Sequence, residues 1–212
     1  GRHVLVTAGP RRYLLDPVRF LSNCSTGKMG YAVARAALER GARVTLVTGP
    51  VSIEPPKGAE VVSVVSTADL YREVTQRAPE CDAVIQAAAP ADFTPETVSD
   101  TKIKKKGVAL DVHFIATPDV ARALGEAKRA GQVLVAFAAE TGDPAKNARG
   151  KRLSKNADLI VANDVTAPGA GFAVDTNRVL LIDDSGEEAL PLMSKRDVAE
   201  KILDRVAALL VK

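Results

Sequence analysis

The chain has 212 residues, and its 29 basic and 26 acidic side chains leave a net charge of only +3. A chain of this length suffices for one α/β domain that buries about 70% of the surface of the unfolded chain. A hydrophobic fraction of 46% and a charged fraction of 26% lie close to the globular average, which excludes disordered, collagen-like and coiled-coil proteins. We therefore expect one folded domain over residues 1–212.

Binding to nucleic acid or to a membrane is not expected. The net charge is too small to indicate a nucleic-acid partner, and no uncharged apolar run approaches the ~18 residues that a membrane span needs. The first residues lead directly into the strand-like VLVTAG, without a basic and then apolar signal segment. We expect a cytoplasmic protein.

The few cysteines and histidines exclude several kinds of site. Cys24 and Cys81 lie outside any CxxC spacing and can form one bridge at most, and His3 and His113 are far apart in the sequence. A disulfide framework, a structural zinc site and metal-dependent hydrolysis are therefore not expected. We predict no metal site made of protein side chains.

The first predicted elements form a βαβ unit. Residues 3–8 (HVLVTA) are a short apolar run ended by a Gly-Pro pair, which is typical of a buried parallel strand. After a long loop a helix follows, with Ser25 or Thr26 as its N-cap and Gly41 beyond its end. Its apolar residues at helical spacing are Met29, Val33, Ala36 and Ala37. Residues 43–48 (RVTLVT) predict the second strand.

The alternation of strands and helices continues along the chain. Strands are predicted over residues 60–65, 83–87, 133–138 and 159–162, and helices over residues 68–77, 118–129 and 143–155. This order predicts an α/β fold with a doubly wound, mostly parallel, Rossmann-like sheet, whose ligand lies beyond the carboxyl ends of the strands.

Two segments depart from the alternation. Residues 108–115 alternate apolar and polar side chains, which is typical of a half-buried strand. Residues 179–182 and 188–192 flank the sequence DDSG and predict a hairpin, ahead of a closing helix over residues 195–210. We expect these segments to form a small antiparallel extension that serves dimerisation or acts as a lid.

The common nucleotide and hydrolase fingerprints are absent. No GxGxxG follows the first strand and no GxSxG occurs. The Gly27-Lys28 pair fails as a P-loop, because Ser22 and Met29 stand at its first glycine and Ser/Thr positions. The stretch SNCSTGKMG nevertheless leads into a helix start, where backbone amides and small hydroxyls can hold an anion. The alternative is that Ser25 or Thr26 only caps the helix.

Three further side chains are candidates for a catalytic role. Asn23 either donates to a developing oxyanion or is an ordinary loop asparagine. Cys24 has no histidine placed to activate it, so a small buried thiol is favoured over a nucleophile. His113 lies in the alternating segment and is expected to be an exposed or hydrogen-bonded structural residue rather than a general base.

Basic residues form two clusters that suit anions. The first comprises Lys102, Lys104, Lys105 and Lys106, and the second comprises Lys146, Arg149, Lys151, Arg152 and Lys155. The first cluster is either a solvated turn or a phosphate contact, since it follows small residues and Asp92 at the end of a buried strand. Lys151 and Lys155 lie at i and i+4 on one helix face, where like charges repel unless an anion bridges them. These features indicate a protein that handles a phosphorylated nucleotide.

Six stretches of the sequence together resemble one family. They are DPVRFLSNCSTGKMG (16–30), AAPADF (88–93), KIKK (102–105), FAAET (137–141), KRLSKNADLIVANDV (151–165) and GF (171–172). In this order, and from Val4 to near the carboxyl end, the chain resembles the bacterial phosphopantothenoylcysteine synthetases, which make a precursor of coenzyme A.

The resemblance implies a CTP-dependent ligase that joins 4′-phosphopantothenate to L-cysteine through an acyl-cytidylate, releasing pyrophosphate and then CMP. Lys102 matches the family's catalytic lysine, and Asn23 matches its catalytic asparagine. The implied nucleotide-binding residues are Ser25, Gln86, Ala87, Ala88, Asp92, Lys102, Pro118, Asp119, Val120, Ala121, Phe137, Lys151 and Lys155. Mg²⁺ is expected to arrive bound to CTP, and no flavin is expected in this chain.

The resemblance also implies a homodimer, with a flavin-dependent decarboxylase as a fused or separate partner. The chain departs from the family at Gly9-Pro10-Arg11-Arg12, which replaces a glycine pair followed by threonine, and at Pro90, where another small residue is usual. A nicotinamide- or flavin-dependent oxidoreductase on the same fold class is the main alternative, and the missing fingerprint argues against it. A non-catalytic nucleotide-sensing module is a third possibility.

Overall fold

The computed structural model describes residues 1–105, 107, 109–140 and 144–211, except for the side chains of residues 144 and 146. The strands are β1 (His3–Ala8), β2 (Tyr13–Leu14), β3 (Phe20–Leu21), β4 (Arg43–Thr48), β5 (Glu60–Ser63), β6 (Ala83–Gln86), β7 (Phe93–Pro95), β8 (Phe114–Ala116), β9 (Val133–Glu140), β10 (Leu159–Asp164), β11 (Thr176–Asn177), β12 (Val179–Asp183), β13 (Gly186–Ala189) and β14 (Met193–Ser194). The helices are α1 (Lys28–Glu39), α2 (Thr67–Arg77), α3 (Val120–Glu126), α4 (Pro144–Ser154) and α5 (Lys195–Leu210), with a short 3-10 turn at Ala78–Glu80.

The central sheet has eight strands in the order β13-β12-β10-β9-β6-β1-β4-β5. The strands from β10 to β5 pair in parallel, and β12 and β13 add an antiparallel edge. The chain runs outward from β1 through β4 to β5 and then returns to place β6 on the other side of β1. The predicted α/β fold is confirmed, and its switch point lies between β1 and β6, where a ligand crevice is expected.

Helices cover both faces of this sheet, because its parallel strands are apolar on both sides. One core contains Val33 of α1 and Ile202 of α5 against the sheet. The other contains Leu70 of α2, Leu124 of α3 and Ala148 of α4. This arrangement fixes the carboxyl ends of β1, β6, β9 and β10 on one rim of the sheet.

Most predicted elements are present, with shifted ends. The predicted strand at residues 3–8, the strand at residues 43–48 and the helix at residues 195–210 have the observed bounds of β1, β4 and α5. The predicted strands at residues 133–138 and 159–162 are too short, and those at 60–65 and 83–87 are too long. The helix predicted over residues 118–129 is also too long. The first residue of the helix predicted over 143–155 lies outside the described residues, and the structure describes that helix as Pro144–Ser154.

The strand predicted over residues 108–115 is wrong for most of its length. Residue 108 lies outside the described residues, residues 109–113 are not in a strand, and only β8 pairs, antiparallel to β7. The pairing ends just beyond Pro95, with a hydrogen bond from Glu96 N to His113 O of 2.9 Å. Alternating apolar residues form a strand only where a partner strand runs beside them.

Other differences lie in the loops. The stretch after β1, predicted to be a long loop, holds the β2–β3 hairpin. The predicted hairpin near the carboxyl end is confirmed, although its second strand is Gly186–Ala189 rather than residues 188–192. The pairs β7–β8 and β11–β14 form further small antiparallel sheets.

Candidate active site

A cleft of about 280 Å³ lies at the switch point of the sheet. Its walls come from the start of α1, the loop after β6, the ends of β9 and β10, one face of α4 and the segment before β11. Residues of these walls are Ser25, Thr26, Gly27, Lys28, Met29, Gly30, Ala87, Ala88, Ala89, Pro90, Asp92, Phe137, Ala138, Ala139, Lys151, Lys155, Asn163, Gly171, Phe172, Asn177 and Lys195. The cleft therefore lies where the strand order predicts a ligand.

Side-chain and backbone bonds tie the ends of β1 and β6 together beneath the cleft. Thr7 Oγ1 donates to Gln86 Oε1 at 2.9 Å and accepts from Ala88 N at 3.0 Å. A single bridge between Pro10 and Ala89 prolongs the parallel pairing beyond the strands. The small residues after β6 are thus held rigidly, and their backbone faces the cleft without obstruction by large side chains.

Helix α1 points its amino end at the cleft. Its N-cap is Gly27, with φ of 80° and no side-chain cap, so the prediction that Ser25 or Thr26 caps the helix is wrong. The Thr26 hydroxyl instead donates to Phe172 O at 2.7 Å. A Cβ on Gly30 would lie 2.8 Å from Thr7 O, so glycine lets the helix approach β1 closely. The amides of the first turn and the positive end of the helix dipole therefore favour an anion here.

Four lysines line the cleft: Lys28, Lys151, Lys155 and Lys195. Lys151 Nζ lies 2.6 Å from Glu140 Oε1, and Lys155 Nζ lies 3.5 Å from Asp119 Oδ1. The repulsion predicted between Lys151 and Lys155 is thus offset, since each cation has its own carboxylate partner. A bound anion would share these cations with the two carboxylates.

Asn23 bridges two walls of the cleft without itself lining it. Its Nδ2 donates to Ala89 O, in the loop after β6, and its Oδ1 accepts from Ser25 N at 3.0 Å. The amide nitrogen carries two hydrogens, so one donor is left for a ligand. The neighbouring Cys24 is exposed, which makes the predicted buried thiol wrong. Burial raises the pKa of the other cysteine, Cys81, to about 11.

Lys102 does not line the cleft in this structure. It is exposed, and it makes no hydrogen bond or ion pair within the described part of the chain. The next residue is anchored: Ile103 N donates to Asp16 Oδ2 at 3.0 Å, and Arg19 Nη2 donates to Ile103 O at 2.5 Å. Asp16 thereby fixes the backbone from which Lys102 extends.

Asp16 is an enclosed carboxylate that accepts from several donors. Its side chain has no exposed surface, and its Oδ1 accepts from Val18 N and Arg19 N, each at 2.8 Å. The Arg19 guanidinium, with these amides and that of Ile103, holds the pKa of Asp16 well below its usual range. A depressed carboxyl pKa stabilises the fold above the unfolded value of ~3.9, and this contribution is lost as pH falls through the folded value.

We expect Asp16→Asn to lower the free energy of unfolding at pH 7, because the variant keeps the shape but loses the charge that Arg19 and the amides stabilise. Urea unfolding at pH 7 and at pH 3.5 measures this. The loss should be smaller at the lower pH, where the carboxylate of the unfolded parent is partly protonated. Asp111→Asn, at an exposed position, is the control, and an equal loss at both pH values would contradict the interpretation.

The remaining predicted residues divide into two groups. Ser25, Ala87, Ala88, Asp92, Phe137, Lys151 and Lys155 line the cleft. Gln86, Pro118, Asp119, Val120 and Ala121 do not. Gln86 is buried in the sheet beside Thr7. Asp119 caps α3 by accepting from Arg122 N at 3.0 Å, while also facing Lys155.

Sequence reasoning missed Asn163, Asn177 and Lys195 as residues of the cleft. Asn163 stands inside the quoted stretch KRLSKNADLIVANDV, at the carboxyl end of β10, and its position there is the signal that could have found it. Asn177 and Lys195 carry no local signal, since the small β11–β14 sheet brings them to the cleft. His113, as predicted, is exposed and hydrogen-bonded, with Nδ1 at 2.8 Å from Glu96 Oε2.

Within the described ranges, no group of three or more His, Cys, Asp or Glu side chains is placed to hold a metal ion. None of the helices in that part of the chain is both long and apolar enough to cross a bilayer.

Comparison with known proteins assigns the family. The family of DNA/pantothenate metabolism flavoprotein C-terminal domains matches residues 1–210. The chain belongs to this family. A curated relative, the coenzyme A biosynthesis bifunctional protein CoaBC of Bacillus subtilis (strain 168), is 52% identical over 211 residues, which are 99% of this chain and 52% of the relative. The chain thus spans about half the length of the curated relatives it matches.

Solved structures agree with the family. The crystal structure of the C-terminal domain of a coenzyme A biosynthesis bifunctional protein CoaBC matches with a TM-score of 0.85 and 38% identity, covering 99% of this chain and 96% of that chain. A Cab2 variant in complex with phosphopantothenate-cysteine has a TM-score of 0.82, 16% identity and coverage of 99% and 88%. The latter similarity shows the shared fold alone. The resemblance inferred from the six stretches is confirmed.

Proposed function

We propose that this chain is a CTP-dependent ligase that joins 4′-phosphopantothenate to L-cysteine in coenzyme A biosynthesis. The observation that carries the proposal is the cleft at the switch point, where the amino end of α1 and four lysines meet and Asp92 is the one acidic residue among the described lining residues. This charge pattern suits a nucleoside triphosphate. The family, together with a relative named for coenzyme A biosynthesis, supports the choice of substrates.

The chemistry is two successive displacements. A carboxylate oxygen of 4′-phosphopantothenate attacks the α-phosphorus of CTP, and the bond to pyrophosphate breaks. The amino group of cysteine then attacks the acyl carbon, the bond to CMP breaks, and the proton of the amine passes to solvent. Both steps use substrate nucleophiles, so the protein has to orient the reactants and offset the charge on phosphate and acyl oxygens.

The roles of the residues follow from this chemistry. The amides of the first turn of α1, with Ser25 beside them, would hold phosphate oxygens, and Lys151 and Lys155 would offset the charge of the nucleotide. Lys102 would act on the phosphate that reacts, and Asn23 on the acyl-phosphate oxygens. Mg²⁺ would enter bound to the triphosphate, where it neutralises phosphate charge. Asp92 is the one carboxylate among the described residues that line the cleft.

An assay with CTP, 4′-phosphopantothenate and L-cysteine tests the proposal. We expect one pyrophosphate and one CMP for each amide formed, and faster turnover with CTP than with ATP at matched subsaturating concentrations. Equal turnover with both nucleotides would contradict the choice of CTP. Binding without pyrophosphate release would instead support a nucleotide-sensing module, and thermal stabilisation by NADPH but not by CTP would support an oxidoreductase.

Replacing Lys151 by glutamine is expected to weaken CTP binding about tenfold while changing kcat less, because a cation on the non-reacting phosphates stabilises substrate and transition state alike. Titration calorimetry with CTP and steady-state kinetics measure the two effects. Arg152→Gln on the same helix is the matched control, since Arg152 pairs with Asp184 at 2.6 Å and does not line the cleft. Equal losses in both variants would assign the effect to the helix rather than to Lys151.

We also propose a homodimer. Apolar side chains are exposed on the β2–β3 hairpin and on the neighbouring β7–β8 pair: Leu14, Phe20, Leu21, Phe93, Phe114 and Ile115. Exposed apolar strands of this kind commonly mark an interface. Of the apolar face predicted on residues 108–115, only Phe114 lies in these described hairpins, and a two-fold partner would cover both hairpins.

Light scattering at micromolar concentration should show a dimer, and Ile115→Glu should shift it toward monomer. Val61→Glu is the matched control, because Val61 and Ile115 are both 41% exposed while Val61 lies on β5, at the far edge of the main sheet. A monomeric parent under active conditions would contradict the dimer.

A flavin-dependent decarboxylase is the proposed functional partner, fused to this chain or separate. Its supporting observation is the bifunctional relative, of which this chain matches about half. A decarboxylase of this kind would consume the carboxylate-bearing amide that the ligase produces.

A further inference from the structure

Lys195 is the buried one of the four lysines of the cleft, and the proposed reaction gives it no role of its own beyond its positive charge. Its side chain is almost fully enclosed, and its Nζ donates to Gly171 O at 2.9 Å, Phe172 O at 3.0 Å and Val174 O at 2.5 Å. An ammonium group has three hydrogens. All three are used by the protein, so this cation has none left for a phosphate.

The acceptors of Lys195 belong to one segment, residues 171–175, which we call the strap. Two more side chains hold it from α1 and the loop before it. Thr26 Oγ1 donates to Phe172 O at 2.7 Å, and Lys28 Nζ donates to Ala173 O and to Asp175 Oδ1, each at 2.8 Å. The carbonyls of four consecutive strap residues thus face cationic or hydroxyl donors.

The strap also forms part of the cleft, because Gly171 and Phe172 line it. Gly171 has φ of 114°, a conformation that other residues rarely adopt, so the chain can turn sharply just before Phe172. The outer residues of the strap, from 173 to 175, are exposed. Besides these side-chain donors, a backbone bond from Lys195 N to Asp175 O of 2.8 Å holds the last carbonyl of the strap, so the carbonyls of residues 171–174 depend on Lys195, Thr26 and Lys28.

The charge of Lys195 is costly in this position. Burial, together with nearby Lys28, lowers the pKa of Lys195 to about 8, while Asp175 acts in the opposite direction. A buried cation is retained only where hydrogen bonds compensate for its lost hydration. Here those hydrogen bonds come from the strap alone among the described residues.

We propose that Lys195 is a positioning residue: its ammonium group holds the strap through three hydrogen bonds and so places Phe172 as a wall of the cleft. Lys195 thereby sets the affinity of the cleft for its nucleotide. The affinity part rests on the proposed function, whereas the placement of the strap does not.

Two measurements on Lys195→Met test the proposal. The first is the rate at which chymotrypsin cleaves the native protein after Phe172, identified by mass, because cleavage requires the strap to open. We expect cleavage at least about tenfold faster than in the parent, since bonds to a charged donor are strong. The second is the Kd for CTP, which we expect to rise about fivefold or more, with KM for CTP rising and kcat changing less.

Lys201→Met is the matched control, because Lys201 lies on the same helix and is exposed. Urea unfolding of each variant separates opening of the strap from global unfolding. Lys195→Arg, which keeps the charge, should recover part of both effects. Should Lys195→Met fail to fold, Thr26→Val replaces it, since this variant removes one donor to Phe172 O and should change both quantities in the same direction.

Each outcome decides a part of the proposal. Cleavage at the rate of the parent in folded Lys195→Met would overturn it, and so would faster cleavage with unchanged Kd for CTP. A parent that binds no CTP would count against the proposed function, and the cleavage rates alone would then decide whether Lys195 holds the strap.

Discussion

Lys102→Gln is expected to lower kcat about a hundredfold or more while leaving the fold intact. The reason is that a cation on the reacting phosphate interacts most strongly with the charge that develops in the transition state. Lys102 is exposed, so its replacement removes no packing. Steady-state kinetics with CTP and a thermal unfolding curve measure the two expectations.

The control for Lys102→Gln is Lys57→Gln, at another exposed lysine. Because Lys102 does not line the cleft in this structure, its catalytic role requires its side chain to reach the bound nucleotide from the anchored backbone at Ile103. A kcat within a few-fold of the parent in Lys102→Gln would show that it does not, and the catalytic assignment would then be wrong.

The central sheet was predictable because its signals are local. An apolar run ended by glycine and proline marks β1, and Ser194, whose side chain accepts from Asp197 N, marks the start of α5. Such caps and runs depend on residues within one turn or one strand, so a single sequence contains them. The alternation of strands and helices then left few topologies to consider.

The start of α1 shows where this reasoning fails. Thr26 has the chemistry of an N-cap, yet its hydroxyl donates to Phe172, which is 146 positions away. Gly27 caps the helix instead, with a positive φ. Only the folded chain decides between a local and a distant partner for the same hydroxyl, because both bonds are of similar strength.

The positive charge of the cleft could be predicted from the sequence, but the carboxylate partners of its lysines could not. Lys151 and Lys155 were recognisable as cations on one helix face, and both do line the cleft. Their partners, Glu140 and Asp119, come from the end of β9 and the start of α3. Lys195 illustrates the same limit, since its acceptors lie more than twenty positions away. The small β11–β14 sheet, which brings Lys195 close to its acceptors, has only two residues in each strand.

Asn23→Ala is expected to lower the rate of amide formation about a hundredfold, which corresponds to the ~3 kcal/mol that one oxyanion donor typically contributes. Asn23→Asp keeps the size of the side chain but replaces the donor by a negative charge, so it should be at least as poor. Folding should survive both changes, because Asn23 lies in a half-buried loop and outside both cores.

Asn23 can also act by holding two walls of the cleft together. The two variants distinguish this positioning role from donation to the acyl-phosphate oxygens. Asn23 joins Ala89 O to Ser25 N, so its loss in the alanine variant removes both bonds between the walls of the cleft. The aspartate variant can still accept from Ser25 N but repels Ala89 O. A role in positioning alone would raise KM for CTP in both variants, whereas a role on the acyl-phosphate oxygens lowers kcat with KM changed less.

The half-reactions distinguish the step that Asn23 serves. If its remaining N–H acts when the cysteine amine attacks, both variants should still exchange pyrophosphate into CTP in the presence of 4′-phosphopantothenate. They should then accumulate the acyl-cytidylate even when cysteine is present, because activation proceeds while amide formation is slow. Rapid-quench analysis measures that intermediate directly. Full activity of Asn23→Ala, with the fold verified by circular dichroism, would show that Asn23 is only a structural loop residue. An equal loss of both half-reactions would show that Asn23 acts on the nucleotide rather than on the acyl group.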